Sequence, residues 1–178
     1  MARPFSDVIR PARSAVVVDD HRVEQYIIFS IDQQEYGVSV SVVREIRGWI
    51  PEKRLPNLPL YVRGVINLRG IVIPIVDLRA RFGDGATETT KTHVVIIIES
   101  GDSLKGLLVD AILDILPIPH TQIKPAPDMA GEALDAHYLD GLYTPEDRII
   151  ALLGVSAYAE PTGMLECHPV SPSKGTDP

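Results

Sequence analysis

Cysteine is almost absent, since Cys167 is the only one among 178 residues. A single thiol can form neither an intramolecular disulfide nor a thiolate cluster for a metal ion. This usage is typical of a protein from a reducing compartment, and we expect a cytoplasmic location. The five histidines form no HxH or HExxH motif, so the sequence predicts no metal site.

Excess positive charge and long apolar runs are also lacking. The formal net charge is −7 and the pI is about 5.2, whereas proteins that bind nucleic acid usually carry a basic surface. The N-terminal stretch MARPFSDVIRPARS has no continuous apolar region of the kind found in signal peptides. No apolar run approaches the roughly 20 residues of a membrane-spanning helix. We therefore expect neither nucleic-acid binding nor direct membrane insertion.

Common catalytic and cofactor motifs are missing as well. The sequence contains no GxxxxGK[ST] loop, no GxGxxG and no GxSxG. Asp110 and Asp114 are four residues apart, but acid–base chemistry needs a cleft and two unequal environments, and no histidine or lysine is near them in sequence. These absences favour a binding module over an enzyme and predict no cofactor.

Short β-branched runs bounded by turn residues dominate the body of the chain, which predicts an all-β fold. They include YIIFSI (26–31), IVIPIV (71–76), VVIII (94–98) and RIIALL (148–153). Helical patterns are few. We expect short helices over 40–48, 109–115 and 128–139.

The chain also contains an internal repeat. Residues 23–46 align without a gap on 92–115, with Gly37 on Gly106 and Ile46 on Ile115. Residues 64–78 align on 141–155 at a larger offset, so the second repeat carries about eight extra residues in its middle.

One repeat holds four or five strands, too few for a stable open sheet with two exposed edges. Closing each set into a small barrel removes those edges. We therefore predict two packed barrels, at roughly 23–90 and 91–160. Residues 1–22 are expected to be a flexible N-terminal segment, and 161–178 a disordered tail.

The stretch GVINLRGIVIPIVDL (64–78) places Arg69 at a turn between two apolar runs, next to Gly70. Arginine is a frequent interface anchor, and a rigid hairpin would hold it in a fixed position. The alternative is an exposed, solubilising turn. The repeat puts Glu146 and Asp147 at the corresponding corner. Opposite charges at equivalent corners indicate that the two halves meet different surfaces.

Several segments resemble the CheW family of bacterial chemotaxis coupling proteins. The most specific is RGVINLRGIVIPIVDLRARFG (63–83), followed by EYGVSVSVVREIRG (35–48), KGLLVDAILDIL (105–116), IKPAP (123–127) and YLDGLY (138–143). The resemblance covers about residues 23–160. It implies two five-stranded SH3-like barrels around a shared core, with a few short helices.

The resemblance also implies a function. Members of the family are non-enzymatic adaptors that link the cytoplasmic tips of chemoreceptors to the regulatory domain of the histidine kinase CheA, within receptor arrays at the bacterial inner membrane. Carried onto matching positions, it implies receptor binding by Val43, Glu45 and Arg69, structural turns at Gly64 and Gly70, and kinase binding by Val109 and Ile112. A small-molecule-binding double β-barrel remains the alternative, since such a module needs only an apolar cavity with a few polar groups.

Overall fold

The structure is a computed structural model that describes residues 22–126 and 139–154. Most of this part is β-structure, as predicted. The strands are β1 (Val23–Ile31), β2 (Gln34–Ser39), β3 (Val43–Gly48), β4 (Val62–Leu68), β5 (Ile71–Asp77), β6 (Val94–Ser100), β7 (Ser103–Val109), β8 (Ala111–Pro119), β9 (Ile123–Lys124), β10 (Leu139–Tyr143) and β11 (Ile150–Leu153). A short helix, α1 (Leu78–Arg81), follows β5, and 3₁₀ turns lie at Val40–Val42 and His120–Gln122. In this part of the chain no helix is long and apolar enough to cross a membrane.

Two of the three predicted helices are wrong. Residues 40–42 form a single 3₁₀ turn, after which β3 alternates between half-buried and exposed side chains. Most of 109–115 belongs to β8, which pairs with β1 along its length. Valine and isoleucine suit such half-buried strands, and pairing with a neighbouring strand decides between the two structures. The third predicted helix, 128–139, lies outside the described residues except for Leu139, which begins β10.

The strands form two sheets. One has six strands in the order β8-β1-β2-β11-β10-β9, and the other has five in the order β3-β6-β7-β5-β4. Neighbouring strands are antiparallel except for the pairs β2–β11 and β5–β7, which are parallel.

Each sheet is built from both repeats, and this corrects the predicted division near residue 90. The 3₁₀ turn after β2 directs the chain from the six-stranded sheet into β3 of the five-stranded sheet. Ser39 caps this turn by accepting a hydrogen bond from the Ser41 backbone N–H. The first two strands of each repeat pair with later strands of the other repeat: β1 with β8, β2 with β11, β6 with β3 and β7 with β5.

The predicted repeat itself is present in the backbone. Arg69 has φ 52° and its counterpart Glu146 has φ 50°. Asp32, in the turn between β1 and β2, has φ 56°, and its counterpart Gly101, between β6 and β7, has φ 60°. Matching left-handed residues at matching turns indicate that the two repeats have the same local fold.

A shared core lies between the sheets. It includes Phe29 and Val38 from the six-stranded sheet and Ile96 and Leu107 from the five-stranded sheet. Alternate residues of the same strands point to the opposite faces, because side chains alternate along a strand. There they form two smaller clusters, one containing Ile73, Ile75 and Ile97 and the other Ile28, Ile150 and Leu152. This layering agrees with the predicted pair of small barrels around a common core.

Candidate functional site

The turn between β4 and β5 displays Arg69, as the sequence predicts. Arg69 and Gly70 both have positive φ, 52° and 88°, a combination whose twist suits a two-residue hairpin. The Gly70 N–H donates to Asn67 Oδ1 at 2.9 Å and closes the turn. A non-glycine residue in this region costs about 1–3 kcal/mol. The hairpin thus holds an arginine where glycine would be less strained, and its side chain is 82% exposed.

Two of the predicted receptor-binding residues meet at this turn. Arg69 Nη2 lies 3.9 Å from Glu45 Oε2 of β3, and Arg47 Nε lies 3.5 Å from Glu45 Oε1. Because β3 and β4 are the two ends of the five-stranded sheet, this contact spans the two edges of the sheet. An exposed ion pair contributes at most about 1 kcal/mol, so Arg69 can exchange Glu45 for a carboxylate on a partner at little cost.

Exposed aliphatic side chains lie next to this ion pair along the chain. Ile46 on β3 is 41% exposed, and Ile71 and Val72, directly after the turn, are 52% and 57% exposed. The third predicted receptor residue, Val43, begins β3 and is partly buried against the shared core. We call Val43, Glu45, Ile46, Arg69, Ile71 and Val72 the corner surface. Apolar side chains around an arginine are typical of a protein–protein contact.

Gly64 has a structural role that differs from that of Gly70. It lies within β4, and a Cβ at this position would stand 2.4 Å from the carbonyl oxygen of Lys53. Lys53 and Val65 exchange two backbone hydrogen bonds, of 2.8 and 2.9 Å, at this point. Gly64 therefore lets the connection between β3 and β4 lie directly on the edge of β4, whereas Gly70 provides the positive φ of the turn.

The two predicted kinase-binding residues differ in accessibility. Val109, the last residue of β7, is 1% exposed and belongs to the shared core. Its burial corrects the expectation of a direct contact, because a partner could not reach this side chain without opening the core. Ile112 on β8 is only partly buried. Its strand neighbours Leu113 and Ile115 are 47% and 53% exposed.

A second exposed surface is related to the corner surface by the repeat. Ile115 corresponds to Ile46, and Ile149, which is 67% exposed, corresponds to Val72. We call Ile112, Leu113, Ile115 and Ile149 the β8 surface. Its charged neighbours include the exposed Asp114, Glu146 and Asp147. The aliphatic character of the two surfaces is thus shared, while the charge at their corners is opposite.

Arg148 is held near the second corner by Glu35 of β2. Its Nη2 and Nε donate to Glu35 Oε2 at 2.6 and 3.1 Å. This hydrogen bonding and the charge of Glu35 raise the pKa of Arg148 above its ordinary value. The arginine therefore has a partner within the chain, and the acidic residues beside it dominate the second corner.

Sequence reasoning missed a network of charged side chains at the base of the β4–β5 hairpin. Arg63 of β4 is 12% exposed, and it faces Asp77 and Glu52, which are 0% and 8% exposed. Asp77 also accepts hydrogen bonds from the Thr87 backbone N–H and hydroxyl, at 2.8 and 2.7 Å. These residues lie far apart in the chain, and the only sequence signal is that each is a charged residue next to an apolar run.

The part of the chain that the structure describes contains no obvious metal site. Among residues 22–126 and 139–154, no group of three or more histidine, cysteine, aspartate or glutamate side chains is placed to hold a metal ion.

Comparisons with known proteins point to one family. A family model described as a CheW-like domain matches residues 25–160. The chain is 44% identical over 129 residues to the chemotaxis protein CheW of Rhizobium meliloti, covering 72% of this chain and 83% of the relative. It is 36% identical over 132 residues to the chemotaxis protein CheW of Klebsiella aerogenes, covering 74% and 79%.

A solved structure agrees with these sequence matches. The crystal structure of the scaffolding protein TtCheW from Thermoanaerobacter tengcongensis superimposes with a TM-score of 0.68 at 30% sequence identity. The match covers 75% of this chain and 85% of that one.

Proposed function

The chain belongs to the CheW-like family of chemotaxis scaffolding proteins, and from this premise we propose that it links the cytoplasmic tips of chemoreceptors to the regulatory domain of a CheA-type histidine kinase. It would act in the cytoplasm beside receptor arrays at the inner membrane. Such a protein holds its partners in a fixed register and catalyses no reaction. The comparisons favour this adaptor over a small-molecule-binding barrel.

The receptor is assigned to the corner surface. The observation that carries this assignment is the exposed Arg69, held at positive φ beside Glu45. Strained residues persist where the surrounding structure holds them, and they cluster at binding sites. A partner carboxylate would replace Glu45 on the guanidinium, and Ile46, Ile71 and Val72 would lose exposed apolar area on binding. Val43 supports β3 from the core side.

The kinase domain is assigned to the β8 surface. Ile112 keeps the kinase-binding role that the family resemblance implies. Leu113, Ile115 and Ile149 supply exposed apolar area on the same surface. Val109 acts only indirectly, by packing in the core beneath. Opposite charges at the two corners would discourage each partner from binding the other's surface, since like charges brought together at an interface are unfavourable.

Reversing the charge of Arg69 tests the receptor assignment. Arg69→Glu is expected to weaken binding to a receptor-tip fragment about tenfold or more, because an interface arginine often contributes over 1 kcal/mol. Co-sedimentation at several protein concentrations measures this change. Glu146→Arg is the matched control, since it reverses the charge at the equivalent corner of the other repeat. Equal recovery of Arg69→Glu and the unsubstituted protein would refute the assignment.

The kinase assignment is tested by Ile115→Arg, which places a charge on an exposed position of β8 and leaves the core intact. It should weaken binding of the isolated kinase regulatory domain about tenfold while receptor binding stays unchanged. Ile46→Arg, at the equivalent position of β3, should do the reverse. If either substitution weakened binding of both the receptor and the kinase domain, the proposal of two separate binding surfaces would be wrong.

A further inference from the structure

The five-stranded sheet has a seam, by which we mean the facing edges of β3 and β4, the two end strands of the sheet. Side chains join the seam at both ends. Glu45, near the start of β3, meets Arg69 at the tip of the β4–β5 hairpin. Trp49, directly after β3, meets Arg63 near the start of β4, with the guanidinium carbon 5.6 Å from the ring centroid. The relative position of the two strands therefore depends on these two contacts and on the connection between them.

Arg63 joins three further segments at its end of the seam. Its Nε lies 3.3 Å from Glu52 Oε1 in the connection after β3. Its Nη1 donates to the Thr87 carbonyl oxygen at 2.6 Å and to Asp77 Oδ2, at the end of β5, at 3.3 Å. A planar guanidinium can satisfy these directions at once, because its N–H donors diverge within one rigid plane. The ammonium group of a lysine has no such fork.

The connection after β3 is fixed at the same place. Lys53 pairs with Val65 through two backbone hydrogen bonds, directly beside Gly64. Glu52, which Arg63 holds, precedes Lys53 and also lies 4.0 Å from Arg54. Trp49 at the other end of this segment donates its backbone N–H to the His93 carbonyl oxygen at 2.9 Å. Releasing Arg63 would therefore loosen the segment that ties β3 to β4.

We infer that Arg63 is a positioning residue for the corner surface. By bracing the seam it sets the distance and orientation of Arg69 relative to Glu45, although its own side chain is only 12% exposed and makes no contact with the partner. The inference rests on the proposed receptor role of the corner surface. It predicts that Arg63 affects receptor binding through Arg69 and has no effect on the kinase-binding surface, which lies on the other sheet.

The variant that tests this inference is Arg63→Lys, which keeps the positive charge beside Asp77 and Glu52. Removing the charge altogether would take the cation away from the buried Asp77 and leave Glu52 only its contact with the exposed Arg54, which could unfold the protein. Arg148→Lys is the matched control, because Arg148 also holds a glutamate with two hydrogen bonds but belongs to the second corner. Urea unfolding of both variants checks that each remains folded under the binding conditions.

Hydrogen exchange gives a readout that needs no partner. In Arg63→Lys we expect the amides of Lys53 and Val65 to exchange about tenfold faster than in the unsubstituted protein, since local opening there becomes easier. The same amides should be unchanged in Arg148→Lys. Unchanged exchange in Arg63→Lys would overturn the inference, whether or not a receptor fragment binds.

Binding measurements then ask whether Arg63 acts through Arg69. Arg63→Lys and Arg69→Ala should each weaken receptor-tip binding about tenfold, and the double variant should be little weaker than either one, because coupled residues are non-additive. Independent effects would multiply to about a hundredfold and would overturn the inference. Failure of the unsubstituted protein to bind receptor tips would refute the proposed function instead, and the exchange result would still decide the bracing role.

Discussion

At the scale of single residues, Gly37 and Gly106 leave space that a neighbouring side chain fills. A Cβ at Gly37 would stand 2.7 Å from Leu152 Cδ2, and one at Gly106 would stand 2.5 Å from Ile75 Cδ1. Leu152 and Ile75 are themselves equivalent in the repeat. Each pair lies in one of the two parallel strand pairs, β2–β11 and β7–β5. The two glycines thus allow the same close contact between repeats in both sheets.

We predict that Gly37→Ala and Gly106→Ala each lower the free energy of unfolding by about 1–3 kcal/mol, the usual cost of overpacking a core. Urea unfolding measures the change. Gly48→Ala is the control, since a Cβ at that strand position meets nothing within 4 Å, and its stability should be unchanged or slightly higher. A Gly37→Ala protein as stable as the unsubstituted one would contradict the tight contact.

The exposure of Arg69 at a turn could be predicted from the sequence, whereas the burial of Val109 and the contacts of Arg63 could not. Arg69 stands between two apolar runs, so its exposure at a turn is readable from the pattern. Val109 follows Leu107 and Leu108, and all three are buried; a strand covered on both faces shows no alternation from which its orientation could be inferred. Arg63 depends on Glu52, Asp77 and Thr87, whose proximity arises only when separate segments fold together.

At the scale of elements, the two hairpin corners have similar backbones but different side chains. Arg69 and Glu146 both have left-handed φ, of 52° and 50°. Glycine adopts this conformation without the steric cost that other residues incur. If the corners served only to reverse the chain, glycine would suit both. An exposed arginine at such a position is better explained by contact with a partner than by the needs of the turn.

This view predicts opposite effects of Arg69→Gly on stability and on binding. The free energy of unfolding should rise by about 0.5–1 kcal/mol as the strain is relieved, whereas receptor-tip binding should weaken about tenfold through loss of the side chain. Urea unfolding and co-sedimentation measure the two quantities. Glu146→Gly should give the same stabilisation without loss of receptor binding. If Arg69→Gly were more stable and still bound the receptor tip fully, Arg69 would be a turn residue without a role in binding.

The helices expected at 40–48 and 109–115 show how local patterns mislead at this scale. Both segments mix valine or isoleucine with charged residues at a spacing that a short helix could also use. In the structure β3 pairs with β6 and β8 pairs with β1. Both partners lie far away in sequence and in the other repeat. The pairing that stabilises a strand is therefore not visible in the sequence of either segment alone.

At the scale of the whole molecule, the repeat was recognisable but the pairing between its copies was not. An internal repeat shows that two units fold alike; it does not show whether each closes on itself or exchanges strands with the other. The structure has the exchanged arrangement, with β1 and β2 in the sheet that contains β8, β10 and β11. A repeat that closes on itself and a repeat that exchanges strands have the same hydrophobic pattern, so sequence periodicity cannot distinguish the two arrangements.

The exchange predicts that neither repeat folds alone. A fragment of residues 1–90 would leave β1 without β8 and β2 without β11, and it would expose Phe29 and Val38 of the shared core. We expect fragments 1–90 and 91–178 each to lack a cooperative thermal transition by circular dichroism, and their equimolar mixture to regain one. The intact chain serves as the reference. A cooperative transition in fragment 1–90 alone would mean that one repeat can close its own barrel, and that the exchanged pairing is not required for folding.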